Sequence, residues 1–85
     1  ADNLPSDNIL SLYPNPFSSS ITIVTKKEFE NSTIIIFDVL GQEVKREKIT
    51  SQKITIDRDN LTRGIYFYRL MQENTIIASG KLIAK

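Results

Sequence analysis

"LTRGIYFYRLM", residues 61–71, runs with a period of two once it passes its glycine. Tyr66, Tyr68 and Leu70 share one parity, while Ile65, Phe67, Arg69 and Met71 share the other. That period belongs to a strand whose two faces meet different surroundings. It predicts a core-facing side made of Tyr66, Tyr68 and Leu70. The lead-in carries information of its own. Leu61, Gly64 and Tyr66 are spaced so that a leucine-anchored loop turns at glycine before a tyrosine enters the strand. The arrangement resembles the tyrosine corner of two-sheet sandwiches, in which the phenol bonds back to nearby backbone. An ordinary core tyrosine is the alternative.

The flanking sequence repeats the pattern at roughly 8–12-residue intervals, as all-β domains do. "ILSLY" (9–13) opposes Leu10 and Leu12 to Ile9 and Ser11, and "SSSITIVT" (18–25) opposes Ile21 and Ile23 to Ser20, Thr22 and Val24. "STIIIFDV" (32–39) is apolar on both parities and reads as a central strand. "EVKREKIT" (43–50) is charged and reads as an edge, where lysine discourages pairing with other chains. "KITID" (53–57) alternates Ile54 and Ile56 with Lys53 and Thr55, and "TIIASGKLIAK" (75–85) supplies the last strand. No window pairs helical spacing with caps. "DVLG" (38–41) has the Asp and Gly of a type I turn, and "RDN" (58–60) and "EN" (73–74) are further turn signals. Seven short strands in 85 residues predict one all-β domain, an immunoglobulin-like antiparallel β-sandwich.

Composition narrows the function. The chain is 40% hydrophobic and 25% charged, which fits a folded module, and its 11 basic and 10 acidic residues leave a net charge of only +1. That balance gives no electrostatic reason to expect nucleic acid as a partner. Cysteine and histidine are both absent, so no disulfide, no Cys/His zinc site and no His-based triad forms within the chain. Three scattered glycines cannot make a phosphate loop. "DRDN" (57–60) lacks the glycine and distal glutamate of a calcium loop and reads instead as a hairpin turn capped by Asp57 and Asp59. "KREK" (45–48) reads as a solvated strand face. Neither catalytic residues nor a cofactor or metal are expected.

"LYPNPF" (12–17) has two prolines around an asparagine. Each proline fixes φ and lacks an amide hydrogen, so the chain must leave one ladder here and enter another. A rigid corner follows, with Tyr13 and Phe17 expected to anchor its ends in the core. "NPF" can also serve as a displayed recognition tripeptide, but Phe17 is better placed in a core. Phe37 and Phe67 become a stacking platform only if their strand face is left uncovered.

The order of these pieces carries a resemblance. "LYPNPF", "IIIFDVLGQEV", "LTRGIYFYRL" and "GKLIAK", in that order, resemble the type A C-terminal sorting domain of the Bacteroidota type IX (Por) secretion system over residues 9–85. Pro14, Asn15 and Pro16 match the opening motif, Gly41 and Val44 the middle "GxxV", and Gly64 and Tyr66 the "GxY", all with structural roles expected. Lys81, Leu82, Ile83 and Lys85 match the terminal lysine-apolar segment, to which the resemblance assigns partner recognition. Ile35 departs from the pattern, standing where relatives often carry a polar residue. What the resemblance implies is a transport signal on an N-terminal cargo. The cargo would pass from the periplasm across the outer membrane of a Gram-negative bacterium and finish secreted or on the cell surface. Its implied partners are the outer-membrane shuttle, the translocon and a sortase-like protein that usually removes the domain. The polar segment 1–8 would be the linker in which processing occurs, and the domain is expected to be monomeric. The rival expectation is a carbohydrate- or protein-binding sandwich appended to a secreted enzyme.

Overall fold

Alternation builds seven strands: β1 (Leu10–Tyr13), β2 (Ser20–Thr25), β3 (Thr33–Phe37), β4 (Glu43–Lys48), β5 (Lys53–Asp57), β6 (Gly64–Gln72) and β7 (Thr75–Ala84). The computed structural model describes residues 10–26, 29 and 31–85, so Ile9 and the expected linker 1–8 lie outside the described residues. The strands form two antiparallel sheets, ordered β1-β2-β5 and β4-β3-β6-β7. The second sheet holds the charged strand at one edge and the triple-isoleucine strand inside, as their patterns predict. In constant-type immunoglobulin domains the fourth strand joins the first sheet; here it pairs with β3.

Tyr66, Tyr68 and Leu70 face the core at 5%, 6% and 0% exposure, against Ile21, Ile23, Ile34, Ile36 and Ile56. Residues of the opposite parity on β6, Ile65 and Phe67, stay exposed. Register places Ile34 beside Leu70 and Ile36 beside Tyr68, so each inward row is continuous across strands. Ile35 sits on the outer face yet is buried, at 8% exposure, beside Arg46 and Arg69. The tyrosine corner is present: the Tyr66 hydroxyl donates to the Thr62 carbonyl at 2.7 Å. That bond satisfies the one polar atom the ring carries inward and pins the loop that delivers β6.

Turn chemistry follows the residues. Glu73 and Asn74 both take positive φ (51° and 67°), which makes the β6–β7 connection a two-residue hairpin of the kind that matches strand twist. Two bulges adjust the second sheet. Ile36 pairs with Lys45 and Phe37 with Glu43, leaving Val44 as the extra residue. Leu70 pairs with Ala78 and Met71 with Ile76, leaving Ile77. A bulge increases local twist and ends regular pairing, which suits strands that wrap a small core.

Three expectations need correction. Tyr13 is 47% exposed, and only Phe17 anchors the corner, because Tyr13 shares the outward parity of Ser11 on β1 while Leu10 and Leu12 face the core. "DRDN" does not close a hairpin: β5 and β6 lie in different sheets, so it is a crossover between layers. Arg58 fixes that crossover by donating to the carbonyls of Leu61 (2.9 Å) and Ser18 (2.8 Å). Lys45 is not solvated. Its ammonium is largely covered and pairs with Asp59 at 2.6 Å, tying β4 to the crossover.

Gly80 was not singled out by its sequence, yet it faces the Tyr68 ring across the β6–β7 pair. A methyl group there would meet the Tyr68 hydroxyl at 2.6 Å and ring atoms at 2.7 Å. Gly80→Ala is therefore expected to cost about 1–3 kcal/mol through overpacking. Tyr66→Ala should cost about 3–5 kcal/mol, and Tyr66→Phe about 1 kcal/mol for the lost hydroxyl bond. Urea denaturation of the three variants checks all of these; a neutral Tyr66→Ala would contradict the inward packing of β6.

Candidate functional site

The corner at residues 14–17 explains its own composition. Pro14 and Pro16 cannot donate to a ladder, so the backbone cannot pair with a neighbouring strand in the ordinary way. The Asn15 side chain does it instead. Its Nδ2 donates to the Lys81 carbonyl and its Oδ1 accepts from the Ile83 amide, each at 3.0 Å. One residue further on, backbone pairing resumes: the Phe17 amide donates to Ile83 O and the Lys85 amide to Phe17 O, both at 2.9 Å. Phe17 and Ala84 thus form a parallel bridge, with the Phe17 ring in the core. The chain leaves β1 in one sheet and clasps β7 in the other.

The clasp decides how the terminal segment can be presented. Alternation puts Leu82 in the core at 0% exposure, while Lys81, Ile83 and Lys85 remain exposed. Of the terminal residues matched by sequence, Leu82 packs and the other three are available to a partner. The outward backbone of residues 81–85 already has partners, which leaves side chains as the means of recognition there.

The remaining motif residues lie nearby. Register aligns Gly64 with Ala84, Tyr66 with Leu82 and Phe67 with both Lys81 and Phe37. The turn after Phe37 carries Gly41, and the bulge residue Val44 lines a shallow depression with Leu61, Thr62 and Tyr66. Gly41 and Gly64 hold φ of 84° and 149°, which a side chain at either position would strain. Four motifs scattered through the sequence therefore gather at one end of the sandwich: corner, turn, tyrosine corner and terminal strand. Among the described residues no group of three acids gathers closely enough to hold a metal ion.

Over residues 11–85 the chain matches the family described as the secretion system C-terminal sorting domain, the tail of Por secretion substrates. It belongs to that family. The sorting domain is similar to part of a beta-agarase A of Zobellia galactanivorans, with 30% identity over 71 residues, 84% of this chain and 13% of the agarase. An endo-acting ulvan lyase of Formosa agariphila is similar at 32% identity over 75 residues, 87% of this chain and 14% of the lyase. The chain thus spans only a small part of either relative. The family is one of non-catalytic sorting modules, so the enzyme activities in those names lie in other regions of those proteins.

Asn15→Ala removes both side-chain bonds of the clasp. The expected loss is about 1–3 kcal/mol, from roughly 0.5–1.5 kcal/mol net per bond after exchange with water. Amide exchange at Ile83 should accelerate beyond the global change. An Ile83 amide as protected as in the parent would remove the side-chain clasp from the account.

Proposed function

We propose that this domain directs a cargo on its N-terminal side across the outer membrane by type IX secretion, and that the machinery reads the motif-bearing end of the sandwich. The convergence of the four motifs at that end carries the reading. Lys81 and Lys85 lie exposed at that end and add nothing to the core, so packing does not account for them. In this reading Lys81, Ile83 and Lys85 meet the outer-membrane shuttle, Leu82 keeps the strand in register, and the translocon and a sortase-like protein act afterwards. The segment 1–8 is the linker cut during processing, the domain proper is 9–85, and the cargo is a secreted polysaccharide-degrading enzyme, as the relatives suggest. A glycan-binding sandwich is the second reading, favoured by one observation: Phe67 is exposed on the outer face beside a half-buried Phe37.

A fluorescent passenger fused ahead of residue 1 tests both. In a Bacteroidota host the passenger is expected outside the cell, with mass spectrometry showing cleavage ahead of the proline corner. Lys81→Glu with Lys85→Glu should hold it in the periplasm while melting stays close to the parent, since exposed substitutions usually stay within about 0.5 kcal/mol. Full secretion of the double variant would remove these lysines from recognition. Retention of the parent fusion, with glycan slowing the domain in an affinity gel, would favour the second reading.

A further inference from the structure

The turn at residues 38–41 is held more firmly than a connection requires. The Asp38 carboxylate accepts from the amides of Leu40 (2.9 Å) and Gln42 (3.0 Å). Backbone bonds from Gly41 to Asp38 O (3.0 Å) and from Asp38 to Gln42 O (2.9 Å) close it. What this turn holds out is apolar. Val39 and Leu40 are 66% and 80% exposed, the most exposed large apolar side chains among the described residues. A rigid turn with two aliphatic side chains in water gains nothing in folding stability from them.

Beside the turn lies a cleft of about 570 Å³ on the outer face of the four-stranded sheet, lined by Phe37, Val39, Phe67, Arg69, Ser79 and Lys81 among others. Phe37 and Phe67 give its lining aromatic surface, Arg69 and Lys81 positive charge, and Asp38 a single carboxylate. Arg69 stacks on the Phe37 ring, 4.9 Å from the centroid. Among the described residues, neither Arg69 nor Lys81 has a carboxylate partner. The acids nearby are engaged: Asp38 by its own turn, and Glu43 by two hydrogen bonds from Arg46 that hold its carboxyl below the usual carboxylate value.

We propose that this cleft, with the Val39–Leu40 ridge at its rim, binds an extended protein segment that alternates carboxylate and aliphatic side chains. The carboxylates meet Arg69 and Lys81, and the aliphatic groups lie between Phe67 and the ridge. Charge complementarity selects the occupant. A second copy on a two-fold axis would set like cations against each other. A glycan would use the rings but leave Val39 and Leu40 unpaired with anything apolar. The proposal rests on the sorting reading and names the chemistry of the receptor that reads the domain.

Nuclear magnetic resonance titration of the whole chain with a synthetic peptide alternating Leu and Glu tests it. Shifts are expected at residues 37–41, 67–69 and 79–81, and a Leu–Lys peptide should produce none. Arg69→Glu with Lys81→Glu should weaken binding at least about tenfold, as reversed charges at an interface do. Lys53→Glu with Thr55→Glu, on the other sheet, should leave binding unchanged. Val39→Ser with Leu40→Ser should also weaken binding without lowering the melting temperature. Equal binding of both peptides, or shifts on the other sheet, overturns the proposal. So do shifts at these amides that come only with agar or ulvan oligosaccharides, with anionic phosphatidylglycerol vesicles, or with rising protein concentration. Failure of the parent fusion to be secreted, with peptide binding intact, would instead sink the sorting reading and leave the cleft standing.

Discussion

The side-chain amide of Asn15 stands in for a missing strand. An exposed β edge offers unpaired amides and carbonyls to any chain that can reach them, and proteins cover such edges to avoid aggregation. Here the end of β7 is covered by a segment whose prolines cannot themselves pair. Asn15 supplies the donor and acceptor that its neighbours lack, and Phe17 then restores backbone pairing and plugs the core. The clasp does three things together. It joins the two sheets at one end, closes the edge at residues 81–85, and fixes which side chains of the terminal strand face out.

That last effect links packing to recognition. With the backbone of the terminal segment occupied, Lys81 and Ile83 project from a strand that cannot slip by one residue without exposing Leu82 and burying a lysine. Register is thus enforced from both faces. The turn at 38–41 and the tyrosine corner add two more fixed points at the same end, so the exposed residues there sit on a preorganised frame. A preorganised surface loses less ordering entropy on binding, so a modest cleft can still bind usefully.

Much of this was legible in the residues, because the strongest signals are local. The parity of Tyr66, Tyr68 and Leu70, the double parity of the triple isoleucine, and the charged edge strand each report burial directly through a period of two. The turns at 38–41 and 73–74 were equally readable, since few residue types accept their φ values. Two kinds of feature were not. Tyr13 has the composition of a core anchor, which masks that its parity, shared with Ser11 and opposite to Leu10 and Leu12, sets it outward. The crossover at 57–60 looks like a hairpin turn because turn chemistry is the same whether the next strand joins the same sheet or the opposite one. The pairing of Lys45 with Asp59 follows from that crossover and was hidden with it. For the site, the motif residues could be named from the sequence, and so could the condition under which Phe37 and Phe67 would be exposed. Their convergence, the role of Gly80 and the stacking of Arg69 on Phe37 needed the register.

The clasp also has a kinetic meaning. Its two side-chain bonds join residues 66 and 68 positions apart, whereas the β6–β7 hairpin closes over a two-residue turn. Loop-closure entropy grows with the span, and long-range contacts form cheaply only after nearer ones have shortened the effective loop. The corner therefore closes most readily on a chain whose intervening strands are already paired. A chain in which β7 is not paired in register with β6 would not present Lys81 and Ile83 to Asn15, and the end of β7 would stay open. The closed clasp is in that sense a late event, marking at a single place that the two sheets have come together.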